Sequence, residues 1–401
     1  MSLSASHSPI VLKIGNILFF IFLLILMLDP GGSVLHMKDK VFLLIVGYNA
    51  LFLKPDLRFL VPILAIYSVV LFGYIIAEIQ ENPIDYEYLV GTIKGISPII
   101  LLLWVKHYNL VHLARIPAVI TCIVILILYG FIASSPIIQY AVFLYSKEHN
   151  EMVMITTRNI LGFKVFGMYY RSIVCIILLL YCFLYTLHQR HFKSPTYLVG
   201  SLILVATFMI SGTRAMMLTP IFVLGIILFR SISTQRKARY FLYPVLAVLA
   251  VLFIVLIALL ATQEGDKSNM MKYGHLYSYV ELFSEKPHYL LWGQGSGTMF
   301  YSLGFHKMTP QTEWIYIELL RNYGLLSLII IGVYAFPLVI FYKYRHDIFT
   351  AGFAVTYFGF LLIAGTNPFL LNSQGMTVLW LVYSHVIRLT DSPSPPLLKA
   401  T

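Results

Sequence analysis

The chain has 401 residues, 59% of them hydrophobic and 11% charged, with a mean hydropathy of +0.83 and a formal net charge of +11. Soluble domains carry about 25% charge, so there is too little polar surface here to clothe a water-soluble fold, and lipid is the solvent that suits it. The basic residues fall in short clusters between apolar runs rather than in a stripe with interleaved aromatics, which excludes a nucleic-acid face and fits the positive-inside rule.

A membrane span needs roughly 17 to 25 predominantly apolar residues. Twelve candidates follow in chain order, over 12–29, 39–53, 59–79, 90–106, 114–133, 168–187, 195–211, 215–233, 240–261, 320–342, 349–365 and 370–388. The predicted architecture is therefore a single all-α polytopic membrane domain over residues 1–401. The first run has only Lys13 ahead of it and ends at Asp29-Pro30-Gly31-Gly32 without a small-x-small cleavage site, so it reads as a retained span. Cys122, Cys175 and Cys182 lie inside apolar runs and offer neither metal spacing nor a disulfide framework.

Placing the N-terminus in the cytoplasm puts every even-numbered connection and the C-terminal tail there too. Those connections carry Lys54 and Arg58, Lys106 and Arg115, Arg190 and Lys193, Arg230 with Arg236, Lys237 and Arg239, and Lys343 with Arg345. Each is short and basic near a span end, the class of loop that sets topology. The outward connection from Glu78 to Glu87 is acidic, and the one short loop that breaks the pattern is Asp29–Lys40, with two lysines. Both termini are expected inside. Two outward connections are long, 134–166 and 262–319, and their mixture of Gly, aromatics and both charges predicts folded external loops. No pair of matching halves is visible, which disfavours an inverted-repeat transporter.

Four stretches can carry chemistry. Ser211-Gly212-Thr213-Arg214 lies at the outer ends of two spans, where an arginine is expensive unless it anchors at the interface or faces a watery cavity. A guanidinium beside a helix N-terminus suits a phosphate. Lys272-Tyr273-Gly274-His275 opens an apolar-aromatic segment spaced as an amphipathic helix, although Lys272 or His275 taken alone reads better as loop surface. Trp292-Gly293-Gln294-Gly295-Ser296-Gly297 makes a tight turn or an anion nest and lacks the context of a nucleotide fingerprint. In the stretch from Thr312 to Leu326, Glu313 sits ahead of a span where a helix N-terminus favours negative charge, and Glu318 and Arg321 are spaced to pair with each other. Gly365-Thr366-Asn367-Pro368 reads as a structural turn.

The order of these features resembles the superfamily of bacterial O-antigen polymerases and O-antigen ligases. The match rests on the span count, on Gly-Thr-Arg at 212–214 opening a span, and on the large loop before the tenth span. Within that loop the order runs from a basic residue through Pro287 and Trp292-Gly293-Gln294-Gly295 to a polar helix entrance ending Tyr323-Gly324-Leu325-Leu326. The architecture covers the whole chain, and the motifs cover mainly 211–220 and 270–330.

The resemblance implies metal-independent, inverting glycosyl transfer, with no cofactor, from an undecaprenyl-diphosphate-linked oligosaccharide on the periplasmic face of a bacterial inner membrane. It places Arg214 on the diphosphate, with Lys272 and Arg321 as further cations, although the second family arginine has no arginine counterpart near Lys272 or His275. Counting back from Gly324, the ligase histidine falls on Glu313. A glutamate there can serve as general base, with His275 as the other candidate, and it favours polymerase over ligase. Trp292, Tyr301, Trp314 and Tyr316 can stack on sugar rings or sit as ordinary belt aromatics. The implied partners are the lipid-linked oligosaccharide, membrane lipid and other assembly proteins such as a chain-length regulator. A ligase that uses lipid A-core as acceptor is the alternative reading. A flippase is disfavoured because Lys94 is the one convincing deep charge.

Overall fold

A computed structural model describes residues 9–32, 34–148, 153–160, 163–233 and 267–391. It opens with α1 (Pro9–Leu28), α2 (Lys38–Phe52), a 3-10 turn (Leu57–Phe59), α3 (Leu60–Ile79) and α4 (Tyr86–Ile96). A 3-10 segment (Ser97–His107), α5 (Leu110–Leu113), α6 (Arg115–Ala133) and α7 (Pro136–Glu148) follow. After the antiparallel hairpin β1 (Val153–Ile160) and β2 (Phe163–Tyr170) come α8 (Ile173–Gln189), α9 (Pro195–Met209) and α10 (Arg214–Ser233). The last part holds α11 (Lys267–Glu285), α12 (Tyr289–Trp292), a short hairpin of β3 (Phe300–Ser302) and β4 (Lys307–Thr309), and α13 (Ile315–Tyr323). A 3-10 turn (Gly324–Leu326) then leads into α14 (Ser327–Lys343), α15 (Ile348–Ala364) and α16 (Ser373–Asp391).

Helices occupy every predicted range except the ninth, 240–261, which lies outside the described residues. Among the described residues, five helical stretches are long and apolar enough to cross a membrane: Pro9–Leu28, Leu57–Ile79, Tyr86–His107, Leu110–Ala133 and Ile315–Lys343. Shorter apolar helices stand at Ile173–Gln189, Pro195–Met209, Arg214–Phe229 and Ile348–Ala364. Two of the helices form the middle of the bundle. Every residue from Ile173 to Leu184 in α8 and from Ser373 to Ile387 in α16 is buried. The outer helices instead turn large aliphatic groups outward, such as Leu51, Val61, Ile127 and Leu362, a surface that water does not tolerate over such an extent.

The chain is predominantly helical, in keeping with an all-α fold, and carries two short hairpins besides. Three expectations need correction. The loop at 134–166 is α7 followed by most of the first hairpin, and the predicted sixth span begins five residues later than 168, because β2 runs to Tyr170 before α8 opens at Ile173. The reason is tertiary: Met168 N–H donates to the Ile210 carbonyl at 2.9 Å, and the Tyr129 hydroxyl donates to the Phe166 carbonyl at 3.1 Å, so this segment is tied sideways rather than into a helix. The fourth predicted span changes character at Pro98, which has no N–H for an α-helical bond and whose carbonyl takes the Trp380 indole N–H at 3.1 Å.

Candidate functional site

The connections that charge and parity assign to one side meet at one cavity of about 560 Å3. It is lined by the turn after α1, the start of α2, α4, the β2–α8 junction, residues 310–323 and the turn into α16. Lys38, Lys94 and Arg171 bring positive charge to it, and Asp39, Asp85, Glu87 and Glu318 bring negative charge. The rim is built by capping. Asp85 accepts the Tyr88 N–H at 2.9 Å to start α4, and Asn372 accepts the Gln374 and Gly375 N–H groups at 3.0 Å each to start α16. The buried Asp29 closes the turn after α1 by accepting from Val34 N at 3.1 Å and Leu35 N at 2.6 Å. Lys38 Nζ donates to the Pro30 carbonyl at 3.1 Å, so the outward lysine that broke the charge pattern belongs to the cavity wall.

Within that wall sits an almost fully buried ion pair, whose Glu318 borders the cavity. Arg321 Nε donates to Glu318 Oε1 at 3.1 Å, Nη1 to Gln294 Oε1 at 2.6 Å and to Thr298 at 3.0 Å, and Nη2 to the Pro310 carbonyl at 2.7 Å and to Glu318. Its guanidinium also lies 4.4 Å from the Phe300 ring centroid. The Tyr279 hydroxyl bridges Thr312 Oγ1, at 2.5 Å, and Glu318 Oε2. Burial and the neighbouring Glu318 push the Tyr279 phenol far above its ordinary value, so it stays a neutral donor. Arg321, expected on the diphosphate, has every donor spent inside the protein, and its role is to lock α13 onto the loop that carries Gln294 and Thr298. A buried pair with its remaining donors satisfied is costly to break from one side.

The glycine run is part of the same lock. Gln294 N–H donates to the Arg321 carbonyl at 2.5 Å, Gly295 N–H to the Asn322 carbonyl at 3.2 Å, and Ser296 N–H to the Gly73 carbonyl at 2.9 Å. These amides are not free to nest an anion, so the structural-turn reading holds. Gly295, at φ +111°, lies so close to Ala77 of α3 that a side chain there meets backbone.

The sequence candidates fall into three groups. Lys272 Nζ and Glu313 Oε2 are 3.7 Å apart, both partly exposed, and Trp314 Nε1 donates to the Lys272 carbonyl at 3.1 Å. Arg214, first residue of α10, places Nη1 at 3.5 Å from Asn269 Oδ1, one helical turn before Lys272 on α11. The face of α11 thus receives the Gly-Thr-Arg turn and the entrance of α13 together. Gly212, at φ +66°, lets that turn lie against Gly167 of β2, where a Cβ on either has no room.

His275 forms the second group. It is fully buried, with Nδ1 2.7 Å from Ser302 Oγ and its ring 4.4 Å from the Phe305 ring, while Nε2 has no partner. Desolvation first, and Lys272 second, push its pKa down to about 4. A neutral imidazole sealed from solvent does not take a proton from an incoming hydroxyl, so His275 is a packing residue rather than the base.

The aromatics are the third group. The Tyr316 hydroxyl donates to the Leu361 carbonyl at 2.7 Å and ties α13 to α15, and the Trp314 N–H is spent on Lys272. Trp292 keeps an exposed ring at the end of α12, and Tyr301 is exposed on β3.

Arg214, Lys272 and Glu313 do not line the 560 Å3 cavity. They stand beside it, with Gln311 and Ile315 of the cavity wall flanking Glu313 in the chain. Sequence reasoning missed Lys38, Arg171 and Tyr279. Lys38 had a signal, as an outward lysine that broke the charge pattern. Arg171 was hidden inside a predicted span.

Comparison with models of protein families, with curated proteins and with solved structures gives no match.

Proposed function

We propose that the chain is a twelve-span glycosyltransferase of a bacterial inner membrane, with both termini cytoplasmic, that polymerises lipid-linked repeat units of a surface polysaccharide. The donor is an undecaprenyl-diphosphate-linked glycan, the acceptor is a hydroxyl on another lipid-linked repeat, and the reacting end of the protein faces the periplasm. The observation that carries this reading is the gathering of Arg214, Lys272 and Glu313 on one face of α11, from segments far apart in the chain.

The chemistry requires positive charge for the leaving group and a base for the nucleophile. Glu313 takes the proton of the acceptor hydroxyl as the new bond from that oxygen to the anomeric carbon forms. The bond from the anomeric carbon to the diphosphate oxygen breaks with its electron pair, and the lipid diphosphate departs as an anion. Lys272 and Arg214 hold that anion, which frees Glu313 from its pairing with Lys272 as substrate binds. Attack from the face opposite the leaving group inverts the anomeric centre. The neighbouring cavity, with Lys38, Lys94, Arg171 and its carboxylates and amides, is wide enough for several sugar units and has the mixed polarity that hydroxyls bind.

The reading is tested with purified protein in liposomes supplied with a lipid-diphosphate-linked repeat unit. Wild-type protein should yield products of increasing length. Glu313→Gln should lower chain growth by about a hundredfold or more, as loss of a general base does. Growth at the wild-type rate in Glu313→Gln rejects the role given to this carboxylate, and no growth by wild-type protein rejects the polymerase reading.

A further inference from the structure

The helices that frame the first cavity frame a second one at their other ends. This cavity, of about 340 Å3, is lined by α1, the end of the Ser97–His107 segment, α5 and the last turns of α16. Its basic lining consists of Lys106, His107, His112 and Arg388, and among the described residues no aspartate or glutamate is part of that lining, although Asp56 outside it feels the charge of Lys106. The first cavity mixes both signs, so the uniform sign here is a property of the place and not of the composition.

The walls are held in position. α1 comes so near the Tyr108 ring at Gly15 that any side chain at residue 15 meets it. Tyr108 in turn donates its hydroxyl to the buried Asn49 Oδ1 at 2.6 Å. Asn109 Oδ1 accepts the His112 N–H at 3.2 Å and fixes the start of α5. His107 Nε2 lies 3.0 Å from the Lys54 carbonyl, and Ser384 Oγ donates to the Tyr108 carbonyl at 3.4 Å. Basic side chains from three elements, with α1 as the fourth wall, are thereby held around one concavity.

A concave site with low-dielectric walls and one sign of charge focuses field and gathers counter-ions. Arg and Lys together supply a planar fork and a point charge, the pair of donors suited to phosphate oxygens. The volume suits one phosphorylated head group rather than a run of sugars. We propose that this cavity binds the phosphate of an anionic ligand at the end of the bundle opposite the glycan site, independently of the transferase reading. Two sources share this chemistry: the head group of an anionic phospholipid, which basic pockets between membrane helices take up, and free phosphate or a small phosphate ester.

The experiment measures two probes on purified full-length protein in nanodiscs of zwitterionic lipid. One probe is phosphatidylglycerol added to the discs and counted on the protein by native mass spectrometry. The other is radiolabelled inorganic phosphate. The variants are Lys106→Gln with Arg388→Gln, which removes the charge, and Lys106→Arg with Arg388→Lys, which keeps it. A lipid site predicts one retained phosphatidylglycerol, weakened about tenfold or more in the neutral pair and within about threefold of wild type in the charge-keeping pair. A soluble-phosphate site predicts the same pattern for the radiolabel and no effect on lipid retention. Equal binding of both probes by wild type and the neutral pair overturns the proposal, as does a charge-keeping pair that fails as badly as the neutral one. Thermal unfolding of each variant, expected to match wild type, separates loss of the site from loss of the fold.

Discussion

The two ends of the helix bundle solve different problems with the same helices. At the end with the 560 Å3 cavity, two of the connections are long and folded, charges of both signs meet, and a buried network of Arg321, Glu318, Tyr279, Gln294 and Thr298 holds the longer loop. At the other end, connections are short and basic, and order comes from simple caps. Asp56 and Asp347 start their helices, and Arg58 spans Asp56 and Asp391 at 2.6 and 2.8 Å. Hydrogen bonding to Arg58 holds the carboxyls of both aspartates below their usual range; Arg58 and Asp391 are about half exposed, where an ion pair adds little, whereas Asp56 is buried. The difference teaches where precision is needed: backbone that must hold a substrate away from helices needs buried polar scaffolding, whereas a turn that only reverses the chain does not.

The sharpest break of that contrast is at the buried pair. Arg321→Ala should leave Glu318 buried without its counter-charge, held only by Tyr279 and Asn322, and cost about 3–5 kcal/mol, read as loss of folded protein after detergent extraction. Asp391→Ala, which removes only the exposed half of the Arg58 pairing at the opposite end, should cost at most about 1 kcal/mol in the same assay. Next in size is Gly295→Ala, which should cost about 1–3 kcal/mol through its positive φ and the contact with Ala77, while Gly47→Ala, with open space around it, should be neutral or mildly stabilising.

The loop end also responds to pH. His275 keeps a folded-state value of about 4 against 6.5 ordinarily, so the unfolded chain takes up the proton first as pH falls. Its contribution to stability is complete above about 6.5 and is lost progressively toward 4. Thermal unfolding across that window should weaken less in His275→Gln than in wild type. Smallest of all, Arg236→Gln with Lys237→Gln, in the sequence-assigned basic loop outside the described residues, should leave chain growth within about twofold of wild type.

How much of this was legible depended on sequence distance. Helices declared themselves through apolar runs, and the Glu318–Arg321 pair through its spacing on one helix face. The hairpin at 153–170 did not, because most of it lies in the stretch read as an external loop, while its last residues, Met168-Tyr169-Tyr170, abut an apolar helix and merge with it in the sequence. The change at Pro98 from α to 3-10 geometry was equally hidden, since both geometries bury the same leucines. Lys272 and Glu313 were each named as candidates, but their meeting across the β3–β4 hairpin follows from how the loop folds. Spacing alone also misjudged Arg321 and His275: it marks a charge at a helix mouth and cannot say whether that charge faces in or out.

The account stands most directly on whether Glu313 drives chain extension in the cell. A deletion strain complemented with Glu313→Gln protein, checked for normal abundance in the membrane, has its lipopolysaccharide separated on a gel. The account predicts core bearing one repeat unit and no ladder. A full ladder would contradict the role of Glu313, and bare core with lipid-linked polymer accumulating would make the chain a ligase instead.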